Sequence, residues 1–371
     1  MHISSTKPTG ELAEIRDLYS RHTARKILLL GGLAALLVAV ALFSTATGAA
    51  AVRVEDVVRV IAAKVFPAVY PATGGELAET VVMELRLPRI FLAVLTGVSL
   101  AGAGAVMQGI LRNPLADPFT MGLSGGAAFG AALAIVLGRG VLGTAFIMGI
   151  GGRFLIIANA FILGLIAVFL AYGIARLKGG DRETLILGGV AIGYLFSAGV
   201  SALRYVSNDE ALRELTVWLM GGLWGAMWRT VWLLMPLVLV CIAVLWRYAW
   251  DLNVLSAGEE VAVSLGVKVG RVRLVALIVS ALAVSATVAF TGIIGFIGLV
   301  APHICRMLIG SDHRFLIPCS CLMGAVILLL SDTLARTIIA PTEIPVGIIT
   351  SLIGAPFFIY LLLKRRRQWW F

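Results

Sequence analysis

Apolar residues run through this chain in long unbroken blocks instead of alternating with polar ones. Windows without a formal charge occupy 27–52, 90–111, 118–138, 154–175, 184–203 and 344–363, each 20 or more residues long. At about 1.5 Å of rise per residue, a helix of that length crosses a hydrocarbon layer of roughly 30 Å. The uncharged run 274–305 is too long for one ordinary crossing, and Gly292, Gly295, Gly298 and Pro302 mark a break inside it. The pattern predicts one helix over 274–290 and a shorter one over 296–308. Adding 230–246 and 315–335 gives ten spans, so the predicted fold class is an all-α polytopic membrane protein with ten transmembrane helices.

An even number of spans puts both termini on one side. The Lys and Arg bias of the connecting segments makes that side the cytoplasm. Residues 1–26 then form a cytoplasmic N-terminal segment, 27–364 the transmembrane domain, and 365–371 a cytoplasmic tail that continues the basic run "KRRR" (364–367). The polar lead before the first window is too long for a cleaved signal peptide, so that window is read as a retained span. A long loop, 53–89, and a shorter one, 204–229, face outward. Within the second, "LRELTVWLMGGLWGAMWR" (212–229) predicts a partial, re-entrant helix.

Composition supports this class: 60% of residues are hydrophobic, 13% are charged and the mean hydropathy is +1.00, which excludes an ordinary soluble domain. The net charge of +10 does not indicate nucleic acid. The basic residues sit in short clusters beside the apolar windows, without interleaved aromatics, where they face anionic lipid. Cys241, Cys305, Cys319 and Cys321 lie in or beside apolar windows without CxxC spacing, and are read as buried small hydrophobes instead of metal ligands or disulfides. Small residues recur in "GVSLAGAGA" (97–105), "GGVAIG" (188–193) and "GIIGFIG" (292–298), a spacing that lets helix backbones touch in lipid.

One water-loving stretch, "LSAGEEVAVSLGVKVGRVR" (255–273), falls on the cytoplasmic side. Ser256 and Glu259 have capping-box spacing and Gly266 sits where a left-handed residue would stop a helix. A helix of about two and a half turns is expected. Val261, Ala262 and Leu265 would share one face, while Glu259, Glu260 and Ser264 stay wet. Outside, Arg86 and Arg89 stand one helical turn apart before the second span, and Arg336 follows Asp332 by four residues, the spacing of an ion pair.

Two motifs mislead. "LSGG" (123–126) resembles the signature of nucleotide-hydrolysing cassettes, but the chain has no GxxxxGK[ST] phosphate loop, so any ATP hydrolysis belongs to a partner. "GLSG" (122–125), with His303 as a distant imidazole, resembles the serine motif of rhomboid intramembrane proteases. An ion-coupled secondary transporter is a further alternative, yet Asp332 is the only Asp or Glu inside an expected span.

The stretches "LRLPR" (85–89), "GAVMQGILRNPLADP" (104–118), "LNVLSAGEEVAVSLGV" (252–267) and "GFIGLVAPHICRML" (295–308) resemble, in order, the motifs of the FecCD permease family. The resemblance runs from about residue 85 to 364. It implies the membrane subunit of a type II ABC importer for iron-siderophore complexes, haem or vitamin B12, without enzymatic activity or a resident cofactor. It also implies a homodimer of ten-helix subunits around a central pathway, in the cell membrane, with two ABC ATPase subunits and an extracytoplasmic solute-binding protein as partners. Carried onto this chain, the resemblance assigns ATPase coupling to Glu259, Glu260, Ser264, Leu265, Gly266 and Val267, within a cytoplasmic helix pair at about 252–273. It assigns binding-protein docking to Arg86, Arg89 and Arg336, and the cytoplasmic gate to Asn113, Pro114 and Leu115. A second gate element falls on "GGDRET" (179–184), more charged here than in relatives with small hydroxyl residues. The pathway is expected along "GGVAIGYLFSAG" (188–199) and "MGLSGGAAFG" (121–130).

Overall fold

The structure, a computed structural model, describes residues 9–48, 54–65, 79–138 and 152–363, and every regular element among them is helical. In chain order these are α1 (Thr9–Ala46), α2 (Val54–Val65), α3 (Leu87–Leu111), α4 (Leu123–Leu137), α5 (Gly152–Leu177), α6 (Arg182–Val206) and α7 (Asp209–Met220). They continue as α8 (Trp228–Arg247), α9 (Ala249–Ser256), α10 (Glu259–Ser264), α11 (Val269–Thr291), α12 (Ile297–Ile309), α13 (His313–Thr337) and α14 (Val346–Leu363). A π-helical segment, Val81–Arg86, leads into α3, and a 3-10 turn, Pro118–Met121, leads into α4. Among the described residues, seven helices are long and apolar enough to cross a membrane: α1, α3 with its lead-in, α5, α6, α8, α11 and α13. Shorter apolar helices, α4, α12 and α14, occupy the three other expected windows. The basic tail lies outside the described residues.

Glycine decides which helices meet. α3 is the central helix and packs against α13, α11, α12 and α8. A Cβ at Gly97 would lie 2.6 Å from the carbonyl carbon of Gly324 on α13, and one at Gly104 would lie 2.7 Å from that of Gly298 on α12. No side chain fits at such distances, so the backbones themselves touch, as small-residue spacing in lipid allows. A second group forms around α4, where a Cβ at Gly125 would meet the Gly193 carbonyl oxygen of α6 at 2.8 Å and one at Gly130 the Asn159 carbonyl carbon of α5 at 2.5 Å. α1 is the opposite case: Leu28, Leu36, Val38 and Phe43 are exposed, and the helix leans on α13.

These contacts correct one expectation. The stretch 121–130 is almost wholly buried between α5 and α6, because its glycines are contact points between helices and cannot also serve as an open wall. α6 does leave a free face, with Leu187, Tyr194 and Leu195 exposed.

The expected break falls within a residue of its predicted bounds. α11 stops at Gly292, with φ of +69°, and Phe296, itself left-handed, opens α12. The partial helix expected outside is α7, capped by the Asn208 side chain, which accepts from the Ala211 N–H at 2.9 Å. Its far end is stitched inward: Gly222 N–H donates to the Thr291 carbonyl at 2.7 Å, and Gly347 N–H to the Gly221 carbonyl at 3.3 Å.

Candidate functional site

At the end of the bundle where α1 finishes, Asp332 of α13 is fully buried and is shared by two arginines. Arg89 reaches it with Nε at 3.0 Å and Nη2 at 2.9 Å, and Arg336 with Nε at 3.1 Å. Arg89 also donates through Nη1 to both oxygens of Glu343, at 3.0 and 2.8 Å. α1 carries no basic residue in its last turn, and its terminal carbonyls are served from elsewhere. Arg86 donates to the Thr45 carbonyl, and Arg336 to Ser44 Oγ at 2.7 Å and the Thr47 carbonyl at 3.2 Å. The three arginines named from the sequence therefore converge, line one small cavity of about 240 Å³ with Glu343, and are largely buried. The Asp332–Arg336 pair was legible as an i, i+4 spacing. Arg89 and Ser44 meet it across more than 200 residues of chain, and Glu343 joins through Arg89 across 254, a closeness that spacing does not show.

At the opposite end, the turn after α3 is stiff for identifiable reasons. Arg112 closes α3 in the left-handed region, with φ of +46°. The Asn113 side chain accepts from the Leu115 N–H at 2.9 Å, and Asp117 caps the 3-10 turn by accepting from the Thr120 N–H at 2.9 Å. Pro114 sits between them and Leu115 is exposed, while Ala116 and Asp117 are buried. Burial pushes the Asp117 carboxyl up to about 6, against hydrogen bonds from the Thr120 and Phe119 backbone that pull it down.

The water-loving stretch begins at the end of α9 and contains α10, so the two-and-a-half-turn helix expected from Ser256 is reduced to the six residues Glu259–Ser264. Ser256 closes α9, its hydroxyl donating to the Leu252 carbonyl at 2.9 Å, so the expected capping box does not form. The cause is Gly258, whose φ of +137° breaks the chain and starts α10 without a side-chain cap. Gly266 does stop the helix, at φ of +82°: its N–H donates to the Val263 carbonyl and that of Val267 to the Ala262 carbonyl, both at 2.9 Å, a Schellman closure. Only Ala262 of this helix is buried. Val261, Val263 and Leu265 are exposed, with Glu260, Ser264 and Gly266 beside them, so of the expected apolar face Val261 and Leu265 are exposed while Ala262 is buried. A groove of about 370 Å³ follows, lined by Tyr248, Asp251, Val267 and Arg271 among others.

Glu259 differs from its neighbours. Its carboxylate turns inward to Arg182 of α6, with Nε at 2.9 Å, and to Arg273 of α11, with Nη2 at 2.6 Å. Partial burial alone would raise this carboxyl, but the two guanidiniums outweigh it and hold it below the ordinary glutamate value. Arg273 also donates to the Gly180 carbonyl at 3.0 Å, and Arg112 to the Ser256 carbonyl at 2.6 Å. Asn253 of α9 donates to Asp312 at 2.7 Å and accepts from the His313 N–H at 2.8 Å. Burial works against ionisation of Asp312, yet hydrogen bonds from Arg314 and Asn253 bring it down to about 2. The pair α9–α10 is thus bonded to the turn after α3, the start of α6, α11 and the start of α13, with Arg273 of α11 holding the α5–α6 loop. Arg182, Arg273 and Asn253 were missed from the sequence. The charged "GGDRET", first met as an oddity, was the available signal for Arg182.

The ends of this bundle match the motif order read from the sequence, and the profile of the FecCD transport family covers residues 36–364. The chain belongs to that family. FecCD permeases similar to it include the hemin transport system permease protein HmuU of Yersinia pestis, 42% identical over 77% of this chain and 84% of that protein. The cobalamin import system permease protein BtuC of Halobacterium salinarum is 46% identical over 78% of this chain and 75% of its own length. A solved structure described as an inward-facing, metal-chelate type ABC transporter superposes with a TM-score of 0.76 at 34% identity, covering 91% of this chain and 99% of that one. As a FecCD permease the protein is a multi-pass membrane subunit of an ABC importer and not an enzyme. The protease reading of Ser124 and His303 does not apply, nor does the ion-coupled one. ABC importer permeases work with ATPase subunits and a binding protein.

Proposed function

We propose that this permease works as a homodimer of ten-span subunits in the cytoplasmic membrane, both termini inside, importing a bulky metal chelate. Two ATPase subunits drive it from the cytoplasm and a solute-binding protein feeds it from outside. The observation that carries the reading is the knob α10. A short polar-ended helix exposing Val261, Val263 and Leu265, closed at Gly266, and bonded at its base through Glu259 to α6 and α11 is built to be gripped and pushed. Glu260, Ser264, Leu265, Gly266 and Val267 form the contact. Arg86, Arg89 and Arg336 supply the docking charge outside, since a planar guanidinium receives carboxylates in pairs. Asn113, Pro114 and Leu115 form the inner gate.

The cargo class rests on relatives named for haem and cobalamin, which are similarly close to this chain, so a metal chelate is favoured as a class and an iron chelate is the first candidate within it. The test is reconstitution in proteoliposomes with cognate ATPase subunits and binding protein, offering a ferric siderophore, haem and cobalamin in turn. Accumulation of one of them that requires ATP supports the reading. Uptake without nucleotide that follows a pH gradient refutes it.

A further inference from the structure

Gripping α10 is useful only if its displacement reaches the gate, and its packing does not secure this. The helix has six residues, buries one of them, and rests chiefly on α9. Its link to the α5–α6 loop is ionic. One oxygen of Glu259 receives Arg182, the first residue of α6, and Arg273 of α11, whose other nitrogen holds the Gly180 carbonyl at 3.0 Å. Gly180 itself lies in the closing turn of α5, its N–H bonded to the Ala175 carbonyl at 2.8 Å. Two guanidiniums and one carboxylate therefore join α10, α11 and the ends of α5 and α6. Apolar contacts permit sliding, whereas short directional bonds between charged groups resist it and can re-form after a rearrangement.

We propose that Arg182, Glu259 and Arg273 are a strut that carries the movement of α10 to the α5–α6 loop, which makes Glu259 a positioning residue for transport and not a contact for the ATPase. This rests on the importer reading above. The outward residues of α10 are apolar apart from Glu260 and Ser264, so an ATPase can hold the knob without Glu259. The charge of the α5–α6 loop, unexpected for a gate element, then has a purpose: Arg182 is the loop's attachment.

The experiment uses the reconstituted complex with Arg182→Gln, a residue outside every docking surface named here. The native cysteines are buried, so Lys178→Cys in the loop and Ala257→Cys beside α10, both exposed, are available for spin labels. In the parent protein the two labels keep one separation with and without trapped ATP. In Arg182→Gln the separation is expected to change with nucleotide, uptake per ATP hydrolysed to fall about tenfold, and hydrolysis to continue, while Arg182→Lys restores most of the coupling. The proposal is overturned if Arg182→Gln transports with unchanged efficiency and unchanged label separation. It is overturned equally if the variant's defect is loss of ATPase-subunit binding. Failure of the parent chain to bind ATPase subunits at all would instead strike the importer reading itself.

Discussion

Each end of the bundle holds one carboxylate between two arginines, the outer and the inner cluster in the proposed orientation, and the two sit in different surroundings. Asp332, with Arg89 and Arg336, is sealed from solvent, whereas the Glu259 side chain keeps 40% of its surface exposed between Arg182 and Arg273. A buried ion pair is costly to assemble and costlier to break, because removing one partner strands a charge without water. A half-exposed pair is screened, costs little to assemble and adds little to stability. The outer cluster is thus suited to fixing the ends of α1, α3 and α13, and the inner one to transmitting motion between parts that must move.

Breaking the outer cluster should give the largest effect. Asp332→Ala leaves two buried guanidiniums without their shared anion and is expected to lower stability by about 3–5 kcal/mol, read by thermal or denaturant unfolding in lipid discs. Asp117, a buried carboxylate held by backbone hydrogen bonds, sharpens the contrast. Ionising Asp117 is disfavoured in the folded protein, so stability should fall as pH rises from the ordinary aspartate value of 3.8 to about 6 and then level. Asp117→Asn should abolish that slope and leave the protein more stable above pH 6 by on the order of 1 kcal/mol.

Glu343 is the less buried carboxylate of the outer cluster and, on the proposed docking role, would compete for Arg89 with a carboxylate from the binding protein. Glu343→Gln should tighten binding-protein affinity about threefold in discs, with little change in stability. Weaker affinity would mean that Glu343 itself makes the contact. The smallest effect belongs to the inner cluster. Glu259→Gln should cost less than about 1 kcal/mol of stability at neutral pH. Because the folded carboxyl lies below its ordinary value, the contribution is complete above that value and is lost as pH falls through the lower, folded one. Stability that barely changes while transport drops is the signature that separates a strut from a structural pair.

The helices were legible because lipid imposes one rule: every buried backbone group must be satisfied within its own segment, and long apolar blocks answer it. The break at Gly292 was legible for the same reason, since glycine marks where the rule lapses. Side-chain direction was less so. The inward turn of Glu259 depends on Gly258 splitting α9 from α10 at a φ of +137°, and a glycine marks a possible break without saying which way the side chains after it will point. Bonds between distant segments, such as Arg89 to Asp332 or Arg273 to Gly180, left no periodic trace at all.

α1 is mostly exposed along its length, yet its last turn receives two guanidiniums that belong to other parts of the chain. The other half of its span is held differently, by Leu29, Leu30 and Leu33 packed against Cys305 and Leu316 and by Lys26 over the Phe315 ring, so polar bonds fasten one end and apolar packing the other. Cutting it away would do more than thin the wall of the bundle: it would unplug Arg86 and Arg336 from the oxygens that keep them in place.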